Sequence, residues 1–142
     1  FPHDEGVARN GGRVGAAGGP KAVFDRLGAI GTLRNPELGI DMTSASITIE
    51  QVADEPGISL EDAHALLRAK VSTVLASGSI PIVVGGGNDQ SAPNGQALLD
   101  TVAKRGGRVG IVNVDAHLDV RPRLDDGRVH SGSPPPPLFL EE

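Results

Sequence analysis

Asp115, His117 and Asp119 stand at alternate positions directly after the apolar run Ile111-Val112-Asn113-Val114. In an extended chain successive side chains alternate faces, so these three would share one. Two carboxylates and an imidazole suit a divalent ion such as manganese, iron or zinc. An ion held that way lowers the pKa of bound water and supplies hydroxide at neutral pH. The competing reading is a polar turn after a strand, with Asp115 as a helix N-cap. The apolar strand before the cluster favours the metal.

A second cluster, Gly85-Gly86-Gly87-Asn88-Asp89-Gln90-Ser91, follows the apolar residues 80–84. Its spacing fits neither a P-loop nor GxGxxG, and no lysine follows. It is either a close backbone approach to a metal site, faced by Asn88 or Asp89, or a tight turn with an Asn/Asp cap. His130, in Arg128-Val129-His130-Ser131-Gly132-Ser133-Pro134, has the chemistry of a proton shuttle, although a lone loop histidine is more often solvated. Arg9, Asn10 and Arg13 flank glycines and are candidates to line a pocket. His3 and His64 carry no such context, and His64 reads as exposed on a helix. Asp125-Asp126 reads as a turn.

The elements that must carry these groups follow from local pattern. Residues 1–20 read as a glycine-rich loop, with Pro20 opening a helix over 21–27 that Gly28 caps. Residues 32–40 read as a loop or short strand, and Ser46-Ile47-Thr48-Ile49 alternates as a strand does. Ser59 with Glu61 and Asp62 behind it starts a helix. Ala63, Leu66, Leu67, Ala69, Val71, Val74 and Leu75 give that helix its apolar stripe, and Gly78 ends it. Residues 80–84 predict a buried strand, 94–104 a helix closed by Gly106-Gly107, and 108–114 a second buried strand. This order is a right-handed parallel βαβ unit. Ligands in such sheets bind beyond the carboxyl ends of the strands, where both clusters would fall. The end of the chain, 121–142, reads as irregular and proline-rich, with a run of prolines over 134–137.

Composition narrows the class. The chain has 142 residues and a formal net charge of −5, against an electrostatic nucleic-acid binder. No apolar run has the length of a membrane span, and no signal peptide is visible. Cysteine is absent, which excludes disulfides and thiolate sites and fits a reducing cytoplasm. Twenty glycines with only 2% aromatics suit an α/β protein with tight turns and a modest core. The start at Phe1 rather than Met predicts a processed or truncated N-terminus.

Together the motifs resemble the ureohydrolase family of arginases, agmatinases and formimidoylglutamases. The resemblance runs from Phe1-Pro2-His3-Asp4-Glu5-Gly6-Val7 and Gly11-Gly12-Arg13-Val14-Gly15-Ala16 to Ser131-Gly132-Ser133-Pro134. It is strongest toward the formimidoylglutamase-like branch, through Asn113-Val114-Asp115-Ala116-His117-Leu118-Asp119-Val120-Arg121 and His130-Ser131-Gly132. It implies part of a parallel-sheet, three-layer α/β/α arginase-like fold, a single partial domain over residues 1–142. It also implies two manganese ions, with Asp115 bridging them, His117 on one and Asp119 on the other. Asp119 would orient the bridging hydroxide, which attacks a guanidinium or formimino carbon before an amine leaves. Arg121 would meet a substrate carboxylate. His130 or Ser131 would stand at the family's histidine before the loop glycine, and Ser131 fits the spacing to Pro134 better.

The sequence departs from the family in three ways. Asn88 stands where the glycine turn normally ends in a histidine ligand, and an amide oxygen is a weaker ligand than imidazole. The later Asp-x-Asp strand that completes both metal shells is not in this chain. Residues 134–142 do not look like the family's continuation, and the family's first strand would precede Phe1. The resemblance therefore implies a fragment or a disrupted copy of a domain about twice as long. Two functions are in play: a manganese-dependent hydrolase of C–N bonds in amidines of the arginine, agmatine or N-formimidoylglutamate type, or a catalytically impaired relative that serves as a binding or regulatory subunit. Family assemblies imply a homo-oligomer, and the expected partner is a small amidine or guanidino substrate.

Overall fold

The computed structural model describes residues 1–31 and 33–133. The proline run over 134–137, and the rest of the irregular end beyond 133, lie outside the described residues. Among the described residues four α-helices follow in order: α1 (Glu5–Arg9), α2 (Gly19–Leu27), α3 (Leu60–Ala76) and α4 (Ser91–Ala103). A two-stranded antiparallel hairpin, β1 (Arg34–Asn35) with β2 (Ile40–Asp41), stands between α2 and α3.

The longest helix, α3, begins where the local chemistry predicts. Ser59 is extended, and its hydroxyl accepts from the Asp62 N–H at 3.1 Å. That bond satisfies one of the donors a helix N-terminus leaves free, and Glu61 and Asp62 suit the positive end of the helix dipole. Leu60, Ala63, Leu67 and Val71 recur at helical spacing and are all buried. They form the core with Ala97 of α4, Ala53 and Phe1. Small residues on α4, among them Ala92, Gly95 and Ala97, are buried. An Arg68–Asp100 ion pair also joins the two helices. The fourth helix starts at Ser91, three residues before the expected 94, after a single 3₁₀ turn over Asn88–Gln90. Pro93 is accepted there because a first-turn residue needs no intrahelical N–H bond.

The strands depart most from expectation. Residues 46–49, 80–84 and 108–114 form no ladder among the described residues. Ile47, Ile80, Ile82, Val112 and Val114 are exposed. Period and apolarity mark a segment fit for a sheet, but a strand exists only where a neighbour meets its N–H and C=O groups. One trace of parallel pairing is present. The Phe1 nitrogen donates to the Val84 carbonyl at 3.1 Å, and the Gly86 N–H donates to the Phe1 carbonyl at 3.1 Å. The Gly87 N–H then reaches the His3 carbonyl at 2.7 Å. Residues 1–3 therefore lie along 84–87 and draw the start of the chain over the glycine turn. Residues 1–20 are also more ordered than a plain loop, since they hold α1 and a 3₁₀ turn over Ala16–Gly18. No described helix is long and apolar enough to cross a membrane.

Candidate functional site

The segment from 119 to 133 is held against α1 and the glycine turn by a set of hydrogen bonds. The Ser131 N–H donates to the Gly6 carbonyl at 2.9 Å, and the Arg121 N–H donates to the Gly132 carbonyl at 2.9 Å. At the end of α1, Asn10 meets both residues through its side chain. Its Oδ1 accepts from Arg121 Nη1 at 3.0 Å, and its Nδ2 donates to Ser131 Oγ at 3.2 Å. Asn88 adds a further tie. Its Nδ2 donates to Asp119 Oδ2 and reaches the Ser131 carbonyl at 3.4 Å. Four residues expected at the site (Asn88, Asp119, Arg121 and Ser131) are thus linked into one patch with Asn10.

Arg9 fastens the same segment from below. Its guanidinium donates to the Val129 carbonyl at 3.1 Å and pairs with Glu61 of α3 at 2.5 Å and Glu5 at 2.7 Å. The Glu61 hydrogen bond, with Glu5 behind it, raises the Arg9 pKa further above its ordinary value. The Arg9 hydrogen bond in turn lowers the Glu61 carboxyl. A guanidinium bonded to two carboxylates and a carbonyl is a rigid fork, and here it joins three parts of the chain.

Asp115 and His117 make no hydrogen bond to this patch among the described residues. The Asp115 carboxylate accepts from the His117 N–H at 2.9 Å, which bends the chain over residues 115–117. Asp119 has a positive φ of 52°. The segment is therefore not extended, and the alternation that would put three side chains on one face does not apply. The polar-turn reading of Asp115 describes its local bond, without a helix to cap. His117 Nδ1 lies 3.4 Å from Asp115 Oδ1. Among the described residues no three His, Cys, Asp or Glu side chains gather as a metal would require. The donor types themselves (carboxylate oxygen, imidazole nitrogen and the Asn88 amide oxygen) fit a hard divalent ion such as manganese.

His130 is buried, with both ring nitrogens occupied. Nδ1 accepts from the Gly132 N–H at 3.1 Å, and Nε2–H donates to the Pro122 carbonyl at 2.9 Å. That pattern assigns the tautomer and leaves no ring nitrogen free for a substrate proton. The ring instead shapes the loop that presents Ser131. The proton-shuttle expectation for His130 thus meets a ring already committed to backbone. The turn at Asp125-Asp126 forms as read, with the Arg128 N–H on Asp126 Oδ1 at 3.0 Å.

Sequence reasoning missed one pair entirely. His64 is not exposed: its ring lies against Phe1, and its Nε2 meets Asp89 Oδ2 at 2.8 Å. Asp89 is 1% exposed and faces this ring rather than the Asn88 patch. No local pattern marks two residues 25 apart as partners. The weaker pointer at Arg9 and Asn10, polar side chains beside glycines, did find two residues that organise the site.

Comparison with known proteins places this geometry in context. The arginase family model matches residues 1–136. A formimidoylglutamase of Salmonella paratyphi B is 40% identical over 134 residues, which are 94% of this chain and 39% of that protein. The solved formiminoglutamase of Trypanosoma cruzi with Mn2+ is 49% identical, with a TM-score of 0.80. This match covers all of the present chain and 46% of the other. An asparagine-to-histidine variant of the Trypanosoma enzyme, also with Mn2+, matches at 51% identity and a TM-score of 0.79, over 94% of this chain and 43% of that one. The chain thus spans less than half the length of the relatives it matches.

Proposed function

The chain belongs to the arginase family and has its α/β fold, and from that premise we propose that it is part of a manganese-dependent hydrolase of C–N bonds in amidines, with N-formimidoylglutamate as the preferred substrate type. Residues 1–142 would then be one partial arginase-like domain. The observation that carries the reading is the patch in which Asn10 and Asn88 tie Asp119, Arg121 and Ser131 together, in a chain similar to formimidoylglutamases.

In this reading Asp115, His117 and Asp119 would hold the metal, with the Asn88 amide as a fourth, weaker donor, which requires Asp115 and His117 to give up their local turn and join Asp119. Manganese held there would supply Lewis acidity toward water. Asp119 orients the attacking water through its carboxylate. Arg121 takes the substrate carboxylate by charge-assisted hydrogen bonds, and Ser131 adds a hydroxyl donor beside it. Those contacts fix the amidine carbon relative to Asp119, a positioning that converts binding energy into rate. His130 acts through the loop, not on the substrate.

The test is metal analysis of the purified chain before and after manganese incubation. A hydrolysis screen against arginine, agmatine and N-formimidoylglutamate follows. Bound manganese, with turnover of N-formimidoylglutamate alone by the whole protein that contains this chain, is the expected result. A manganese-loaded whole protein that turns over none of the three overturns it.

A second reading rests on one observation. The Asn88 amide nitrogen is spent on Asp119, so a candidate ligand is engaged by a group that binds metal weakly. This favours a catalytically impaired relative with weak or no metal binding that acts as a binding or regulatory subunit. Low manganese after loading, with retained assembly onto an intact homologue, is its signature.

A further inference from the structure

The geometry points to Asn10 as a positioning residue that aims two hydrogen-bond donors, Arg121 and Ser131, at a carboxylate. The inference rests on the reading of Arg121 as a carboxylate-binding group given above.

A guanidinium can only donate, so the Asn10 atom facing Arg121 Nη1 must be the amide oxygen. This fixes the amide orientation and puts Nδ2 on Ser131 Oγ. The Ser131 oxygen is then the acceptor in that bond, and its own proton is left to donate elsewhere. One side chain therefore orients both groups and consumes the donor capacity of neither beyond a single Nη1 hydrogen.

The charge of Arg121 is also left intact. Arg9, Arg34, Arg68 and Arg128 each pair with a carboxylate. Arg121, like Arg13, Arg26, Arg105, Arg108 and Arg123, is in no ion pair among the described residues, and of these it alone is held by a side chain, the neutral Asn10 amide. A guanidinium held in place without being neutralised suits an anionic ligand, because no internal pair must be broken first. Gly132 closes the arrangement: a Cβ there would meet Asn10 Nδ2 at 3.2 Å and Arg121 Cδ at 3.4 Å. The ligand class is a small molecule that carries a carboxylate away from its amidine, and a substrate without one gains nothing from this pair.

The experiment titrates metal-free chain with L-glutamate and follows the Arg121 Nε–H signal by NMR. L-glutamate has the carboxylates but no amidine, so binding is read apart from hydrolysis. The wild-type chain is expected to bind saturably, and Arg121→Ala to remove the response. Asn10→Asp places a carboxylate against Arg121 and is expected to weaken L-glutamate about tenfold or more. Asn10→Ala, which leaves the guanidinium loose but charged, is expected to weaken it less. A role in folding alone predicts the reverse order, since Asn10→Asp keeps the bond to Arg121. Ser131→Ala, which removes the acceptor of Asn10 Nδ2 but leaves the Asn10 bond to Arg121, is expected to weaken binding about threefold. No L-glutamate binding by the wild-type chain, or a larger loss for Asn10→Ala than for Asn10→Asp, overturns the inference. Glutamate binding without any amidine hydrolysis sinks the hydrolase reading and leaves this one standing.

Discussion

The Nε2 of His64 lies 2.8 Å from Oδ2 of Asp89, so α3 is pinned to the turn that precedes α4 through a carboxylate that is fully enclosed. The other carboxylate oxygen, Oδ1, has no hydrogen-bond partner among the described residues. Removing His64 would leave a buried carboxylate without its remaining side-chain partner. His64→Ala is expected to cost about 1–3 kcal/mol, measured by urea denaturation, because it leaves a buried carboxyl group without a hydrogen-bond partner. A loss under 1 kcal/mol would mean that water reaches Asp89 in solution.

Leu67 sits 2% exposed in the centre of the α3 stripe. Leu67→Ala is expected to destabilise the chain by about 2–5 kcal/mol, the sum of lost burial and the cavity left behind. Leu66, one position along, is 44% exposed, and Leu66→Ala should cost far less. Equal losses at the two positions would contradict the observed helix face.

Five carboxyls, Asp4, Asp41, Glu61, Asp100 and Asp126, are held below their ordinary values, and all act on pH dependence in the same direction. The Arg9 hydrogen bond lowers Glu61 from its ordinary 4.5, and backbone N–H bonds from Gly15 and Ala17 lower Asp4 from 3.8. For a depressed folded pKa, the stabilisation is present above the unfolded value and is lost as pH falls through the folded one. Stability is therefore expected to hold from pH 7 down to about 5 and to decline below 4.5. Glu61→Gln should make that decline shallower, read from denaturation midpoints at pH 3 to 7. An unchanged slope would show that the Arg9–Glu61 pair does not persist in solution.

Manganese content tests the donor set. Asp115→Ala is expected to lower bound manganese per chain, measured by elemental analysis after incubation and dialysis. Asn88→His should raise manganese affinity, since imidazole replaces a poor amide ligand. No change with Asp115→Ala would refute the metal reading at that residue. No gain with Asn88→His would refute the diagnosis of Asn88 as the weak position.

What could be read from the chain was what neighbouring residues decide together. The Ser59 cap and the stripe of α3 need only a few turns of chain; the cap formed at the expected place, and the stripe did so at Ala63, Leu67 and Val71, whereas Leu66 and Ala69, also expected in it, are exposed. So did the helix opened by Pro20 and the turn at Asp126. The segments 80–84 and 108–114 are a different case. Their pattern suits a sheet, but pairing depends on partners elsewhere, and among the described residues only 1–3 supply any. The Asp115–Asp119 motif offers donor types that suit a metal, but the shared face that alternation predicts is not formed. A side-chain bond to the His117 N–H competes with extension, and an alternation rule has no term for that. His64–Asp89 and Asn10–Arg121 were illegible for a plainer reason: their members are brought together only by the fold.

Gly85, Gly86 and Gly87 are each closed by a different neighbour. A side chain at Gly85 would run into the Gln90 amide, at Gly87 into the Asp89 carboxylate, and at Gly86 into the His3 carbonyl. Side chains can be exchanged by a second mutation, whereas a backbone carbonyl cannot. Substitutions at Gly85 and Gly87 thus have two-step routes open to them, through changes at Gln90 or Asp89. Gly86 has none while residues 1–3 keep their place. In a library randomised over this turn, the first two would recover only as correlated pairs, and the middle position would return as glycine from every starting point.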